Sequence, residues 1–268
     1  MPDGTAVTAS WSDADRYEAY IGRWGRPVAR EFVAGLGVPA GRRWLDVGCG
    51  TGALTETVLE LAEPAGVRGI DRSPAFVRHA AAHVLDPRAS FGTGDAAALP
   101  VGDGSADVVV AGLVLHFLPD PGAAVADWRR AAVSGGTVAA YVWDYAGGMD
   151  MMRAFWAAAA RVDPAGAGHD EGARFPICAP GPLEAVFTGA GLTDVVTGAI
   201  DVPTVFADFD DLWTPFLGGT GHAPVYVASL TEDVRDAVRE ELRRSLPVRD
   251  DGSIALTARA WTVRGLVP

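Results

Sequence analysis

Three aspartates in the first hundred residues carry the chemistry this sequence offers most plainly. Asp46 lies inside LDVGCGTG (45–52), two residues before the first of the glycines Gly48, Gly50 and Gly52. Asp71 closes GVRGID, 23 residues after Gly48, and Asp95 follows a glycine in GTGDAAALP. A glycine-rich turn lets backbone approach a ligand closely. A carboxylate roughly 20 residues further on is placed to accept the two hydroxyls of a ribose. Asp95, or the backbone at Ala96, suits the exocyclic amine of adenine, which donates hydrogen bonds. Read through Ala53, the glycines also fit G-x-G-x-x-A, the dinucleotide fingerprint, so glycines and Asp71 leave NAD and an adenosyl cofactor both open. Asp46 separates them. A pyrophosphate docked on the turn would meet its charge at a cost of roughly 1–4 kcal/mol for a pair near 4 Å, whereas an ammonium or sulfonium would be attracted. The plainer alternative for Asp46 is a cap on the helix that follows.

These residues need strand ends to hold them, and the sequence supplies strands and helices in alternation. WLDVG (44–48) reads as a strand and 53–61 as a helix. VRGID (67–71) is a second strand, and Ser73-Pro74 opens a helix with Ser as N-cap. Strands follow near 89–92, over the unbroken apolar run 106–115 and over 137–143, with a helix at 121–133 whose Val125, Trp128 and Ala132 share a stripe. Such alternation predicts a parallel sheet with helices on both faces and ligands at the carboxyl ends of the strands. Beyond Trp143 we expect a helix at 149–163, a Gly- and Pro-rich loop at 164–182, and a helix at 183–191. A strand at 193–206, a helix near 232–246 and a last strand at 253–265 complete the pattern.

The totals set bounds. The chain has 268 residues, 49% hydrophobic and 21% charged, the balance of a soluble globular protein. Its net charge of −12 would be repelled by a phosphate backbone, which argues against nucleic acid as a partner. The sequence holds no Lys, Asn or Gln, so lysine Schiff-base chemistry, a Walker-type lysine and N-glycosylation are excluded. Two cysteines, Cys49 and Cys178, make neither a zinc cluster nor a disulfide framework, and no metal site is expected. The polar, acidic start is not a signal peptide, and the run 106–118 is too short to span a bilayer. We therefore expect a soluble, cytoplasmic protein. Residues 1–16 read as flexible and 17–268 as one domain, with insertions at about 144–182 and 206–250 placed to build a cap over substrate.

LDVGCGTG, the acid of GIDRSP, GTGDAAALP and GLVLHFLPDPGAAVADWRRAAVSGGTV, in that order, resemble the class I S-adenosylmethionine (SAM)-dependent methyltransferases. The small-molecule branch similar to the ubiquinone and menaquinone C-methyltransferases is nearest. The likeness covers about 17–143 by motif. It implies a doubly wound, seven-stranded, mostly parallel Rossmann-like α/β sheet with an antiparallel last strand. It also implies roles: Gly48, Cys49 and Gly50 bring backbone to the methionine part, Asp46 lies near its amino group, and Asp71 grips the ribose. Arg72, Ser73 and Phe76 would line the adenosine, Asp95 and Ala96 would read adenine, and Gly112 and Leu113 would offer backbone to the amino acid moiety. YEAYIGRWGRP (17–27) is similar to the segment that folds over the cofactor in this group, making Tyr17, Trp24 and Arg26 candidates, Arg26 for the carboxylate. A helix packed on the sheet is the plainer reading of that segment.

Methyl transfer is an in-line displacement in which the protein mainly aligns the reactants and excludes water; S-adenosylhomocysteine is the product. His116, just past the fourth strand, is the candidate base, with a structural role as its alternative. Asp144, Tyr145, His222 and Tyr226 are weaker candidates. Trp143, Phe155, Trp156, Trp213, Phe216 and Tyr226 suggest a pocket for an apolar or aromatic acceptor, or else the core of a cap. Arg153 and Arg174 would pair with an acidic substrate group or face water. Two rivals stand beside this reading: a SAM-binding protein that does not methylate, and an NAD-dependent oxidoreductase, for which no Tyr-x-x-x-Lys pair exists in a chain without lysine.

Overall fold

A computed structural model describes residues 22–218 and 221–268. Tyr17 and the expected flexible stretch 1–16 lie outside the described residues. The elements run α1 (Arg23–Leu36), β1 (Arg43–Val47), α2 (Ala53–Leu61), β2 (Gly66–Asp71), α3 (Pro74–His83), β3 (Ala89–Thr93), β4 (Ala106–Gly112), α4 (Pro121–Ala131) and β5 (Ala132–Trp143). They continue with α5 (Asp150–Val162), α6 (Glu171–Arg174), α7 (Pro180–Gly189), β6 (Thr193–Phe206), α8 (Phe209–Trp213), α9 (His222–Ser229), α10 (Glu232–Ser245) and β7 (Ile254–Leu266).

The seven strands form one sheet in the order β3-β2-β1-β4-β5-β7-β6. From β3 through β5 every pairing is parallel, and β7 runs antiparallel to β5. This is the Rossmann-like arrangement the motifs implied. β4 and β5 lie centrally and are covered on both faces: Val109, Val110, Ala111, Val138, Ala139 and Ala140 are all fully buried. That explains why their sequences read as apolar runs without alternation.

The chain divides into two compact units. The sheet unit holds 25–144, 177–201 and 259–268. The helical unit gathers, among described residues, 22–24, 145–176 and 202–258, and so contains α5, α6, α8, α9 and α10. Its interior is aromatic. Phe155 and Phe216 stack at 4.5 Å, Phe155 meets Trp156 edge-on at 4.9 Å, and Trp213 lies 5.9 Å from Phe216. All four rings, with Tyr226, are buried.

Several expected boundaries move, each for a visible reason. The strand expected over 106–115 ends at Gly112, because Leu113 adopts a left-handed φ of 61° and turns the chain into a 3-10 turn over Leu115–Phe117. The stretch 164–182 is not all loop. Asp170 caps α6 by accepting from the Gly172 N–H at 2.8 Å, and Pro180 opens α7 in the first-turn position that proline tolerates. Helix α9 escapes sequence reading because Gly221 and Pro224 look like breakers. Pro224 sits in the first turn, where its missing N–H would have had no helical partner.

Candidate functional site

Four adjacent parallel strands, β3-β2-β1-β4, bring their carboxyl ends side by side, and the expected ligand residues sit on them. Asp46 is the fourth residue of β1, and Asp71 ends β2. Asp95 follows β3, while Gly112 ends β4 and Leu113 follows it.

The turn after β1 is tightly determined. The N–H groups of Gly48 and Cys49 both donate to the Ile70 carbonyl, at 2.7 and 3.0 Å. The Gly50 N–H donates to one Asp71 oxygen at 3.0 Å, and the Ser73 N–H to the other at 2.7 Å. Asp71 therefore holds the glycine turn and the start of α3 in place, and it is 9% exposed. The three glycines differ in what they require. Gly48 has φ 70°, and a Cβ there would lie 2.3 Å from Val114 Cγ2, so packing demands glycine. Gly50 has φ 53°, yet a Cβ there would meet nothing within 4 Å. Gly50 thus bounds open space rather than protein.

Asp46 is 1% exposed. Thr55, in the first turn of α2, donates its hydroxyl to Oδ2 at 2.7 Å, while Oδ1 is buried with no partner among the described residues. Burial, with a smaller push from Asp71, raises the Asp46 carboxyl to about 7, against the pull of Thr55. A carboxylate with one satisfied oxygen and one orphan is the electrostatic complement of a cation. The N-cap residue of α2 is Gly52, yet Asp46 also serves the helix start, drawing on both the hydroxyl and the backbone N–H of Thr55 in its first turn. Thr55 is a contributor that sequence reading missed; its signal was a hydroxyl nine residues after the acid, on the first helical turn. Cys49 is buried, and burial first, then Asp46 and Asp71, push its thiol far above the ordinary range. It is a packing residue and no nucleophile.

The adenosine side is less uniform. Phe76 is buried, Ser73 caps α3 through the Phe76 N–H at 3.4 Å, and Arg72 is exposed. Asp95 is exposed and accepts from the Ala97 N–H at 2.9 Å. The Ala96 carbonyl is occupied by Trp128 Nε1 at 2.7 Å, which ties α4 to the loop after β3. The Leu113 N–H donates to the Tyr141 carbonyl at 2.8 Å. A non-glycine residue at positive φ is strain that clusters at functional sites.

The remaining candidates fall as follows. His116 is buried in the turn after β4, its ring 4.0 Å from that of Phe117. Asp144 is buried just past β5. Arg26 pairs with Glu56 of α2 at 2.6 Å. In the helical unit, Trp24 packs edge-on against Phe206 at 5.3 Å. Tyr145 packs near Phe175 at 5.7 Å. Tyr226 donates to Asp163 at 2.9 Å. Burial, then the charges of Arg174 and His169, lower His222 to about 4, so its ring is neutral near pH 7. Arg153 forks onto Asp170 and stays partly exposed, while Arg174 is exposed. The aromatic residues expected to line a pocket pack on one another as the interior of this unit, apart from Trp143, which is buried at the end of β5. Among the described residues no group of three or more His, Cys, Asp or Glu side chains could hold a metal ion, and no helix is long and apolar enough to cross a membrane.

Comparison with known proteins adds independent findings. A family model described as a methyltransferase domain matches residues 45–140, the stretch from β1 into β5. A demethylmenaquinone methyltransferase of Roseiflexus castenholzii is 38% identical over 110 residues, which are 40% of this chain and 45% of that one. A ubiquinone biosynthesis O-methyltransferase of Xanthomonas axonopodis is 34% identical over 131 residues, covering 42% of this chain and 53% of that one. The chain thus spans about half the length of the curated relatives it matches. Among solved structures, a phosphoethanolamine N-methyltransferase of Haemonchus contortus, in complex with phosphomonomethylethanolamine and S-adenosylhomocysteine, superposes with a TM-score of 0.59 at 14% identity. That match covers 97% of this chain and 61% of the other, and it shows the shared fold. In sequence over β1 to β5, and in fold, the protein is similar to class I SAM-dependent methyltransferases.

Proposed function

We propose that the protein is a SAM-dependent methyltransferase acting on a small molecule, with the cofactor held at the carboxyl ends of β1, β2, β3 and β4. The observation that carries this reading is the buried Asp46 with its unpartnered Oδ1, at the end of the strand that leads into the Gly48–Gly52 turn. The residues fit the group. An orphan carboxylate oxygen suits the amino end of the methionine moiety, the space over Gly50 admits a ligand to the backbone, and Asp71 keeps lone pairs for ribose hydroxyls. A pyrophosphate in the same place would meet Asp46 without a compensating cation, which disfavours NAD.

When bound, SAM supplies an activated methyl group on a sulfonium. The chain's own residues then have limited tasks. Asp71 holds the turn and the ribose; Asp46 and Thr55 fix the amino group; Phe76 walls the adenosine; Leu113 offers backbone. His116 is the candidate to receive a proton from the acceptor where the acceptor must lose one.

The test is turnover. Purified protein incubated with methyl-labelled SAM and a small-molecule acceptor panel is expected to release S-adenosylhomocysteine and label an acceptor. His116→Gln is expected to lower kcat for acceptors with a titrating proton while leaving S-adenosylhomocysteine affinity unchanged. Tight cofactor binding with no turnover on any acceptor would favour a non-methylating SAM-binding protein.

A further inference from the structure

Helix α9 carries His222 and Tyr226 four residues apart, so both rings stand on one face. Two stretches of the helical unit pack on that face. The Phe175 ring meets His222 edge-on at 5.3 Å, and the His169 ring lies 5.3 Å from that of Tyr226. Arg174 precedes Phe175 at the end of α6; it is exposed, while His169 and His222 are half-buried. Two imidazoles and a guanidinium thus gather at one solvent-accessible place, all within the helical unit. The start of α9 adds to them. Its N-cap is Gly221, at φ 98°, which supplies no side-chain cap and leaves the positive end of the helix beside His222.

The acids nearby are already engaged. Asp163 accepts from Tyr226, Asp170 from Arg153 and from the Gly172 N–H, and Glu171 from Trp156 Nε1. Among the described residues none of these carboxylates pairs with the side chain of His169, Arg174 or His222. Burial first, then the like charges of Arg174 and His169, hold His222 down to about 4. A neutral imidazole donates one N–H, and a guanidinium presents a planar fork that matches a carboxylate. Three arginines of this chain use that fork on acids: Arg43 on Asp107, Arg88 on Asp86 and Arg259 on Asp201. With one guanidinium as its fixed charge and engaged acids around it, the group suits a monoanion better than a dianionic phosphate. The rings of Phe175 and Tyr226 beside it suit an aromatic body behind the acid.

We propose that His169, Arg174 and His222 form a binding site for the carboxylate of a small aromatic acid. The site stands on the helical unit alone and goes beyond the methyltransferase reading.

Titration with benzoate, benzamide and phenyl phosphate, followed by calorimetry and by the histidine ring signals in NMR, tests it. The chain has five histidines, so each signal is assignable by single substitution. At about pH 6, benzoate is expected to bind tenfold or more tightly than benzamide, and to move the His169 and His222 signals while those of His79 and His83 stay in place. A carboxylate beside His222 is also expected to raise the pH at which that ring titrates. Arg174→Gln is expected to bring the benzoate-to-benzamide ratio toward one, and Arg174→Lys to keep only part of it, since lysine retains the charge and loses the fork. Arg174 is exposed, so both variants are expected to fold as wild type does; His222→Gln is expected to lower the same ratio. Equal binding of benzoate and benzamide, a ratio that survives Arg174→Gln, or histidine signals that stay still would overturn the site. Tighter binding of phenyl phosphate than of benzoate would overturn its assignment to a carboxylate. These titrations contain no cofactor, so their failure leaves the cofactor reading standing, and a protein that does not bind S-adenosylhomocysteine can still show this site.

Discussion

At the scale of single residues, Asp46 matters most, and its titration gives a prediction with a definite sign. In the ligand-free fold the carboxyl is held up near 7, so it is largely protonated at pH 6 and largely ionised at pH 8. A cationic ligand prefers the ionised form. Affinity for S-adenosylhomocysteine is therefore expected to rise between pH 6 and pH 8, and Asp46→Asn to flatten that rise; parallel slopes in the two proteins would contradict the assignment. The glycines give a second contrast. Gly48→Ala puts a Cβ onto Val114 at positive φ and is expected to destabilise by about 2–4 kcal/mol, from left-handed strain plus overpacking. Gly50→Ala meets no protein atom, so its cost in stability is expected to be only about 1 kcal/mol, while S-adenosylhomocysteine affinity falls at least tenfold. Urea denaturation and calorimetry on the two variants separate packing from ligand approach.

At the scale of elements, the helical unit makes its own prediction. Phe155 is fully buried against Trp156 and Phe216, so Phe155→Ala is expected to cost about 3–5 kcal/mol in urea denaturation. A loss under about 1 kcal/mol would show that these rings line usable space instead. This unit also marks where sequence reading stopped. The strand–helix alternation from β1 to β5 was legible because strands with both faces covered read as apolar runs, and because Ser73, Pro74 and Pro121 announce helix starts at fixed positions. β6 was legible to the residue. The end of β4 was not, since Leu113 turns left-handed on a sequence that is still apolar, and apolarity carries no sign of φ. Aromatic residues at helical spacing say that a surface is covered, but not whether a ligand or a neighbouring ring covers it. The strand-end acids of the site could be placed by spacing, whereas the hold of Trp128 on the Ala96 carbonyl depends on a partner 32 residues off in sequence.

At the scale of the whole molecule, two buried acids link folding to pH. Burial raises Asp46 and Glu171 each to about 7, and Glu171 keeps one hydrogen bond from Trp156 Nε1. An acid whose folded pKa exceeds its unfolded value contributes stability that is complete below the unfolded pKa and is lost as pH rises through the folded one. Each tenfold change in proton affinity is worth about 1.4 kcal/mol. His222, held down to about 4, works in the opposite sense over the lower part of the range. The two acids outweigh it, so the ligand-free protein is expected to lose stability on balance between about pH 4 and pH 8. Urea midpoints across that range are expected to fall, and Glu171→Gln to remove part of the slope; a midpoint that rises with pH would contradict this linkage. The most direct test of the central claim is thermal unfolding with candidate cofactors. S-adenosylhomocysteine at 100 times its Kd is expected to stabilise wild type by about 2.7 kcal/mol, NAD to leave Tm unchanged, and Asp71→Ala to abolish most of the S-adenosylhomocysteine shift. A shift with NAD and none with S-adenosylhomocysteine would contradict the account.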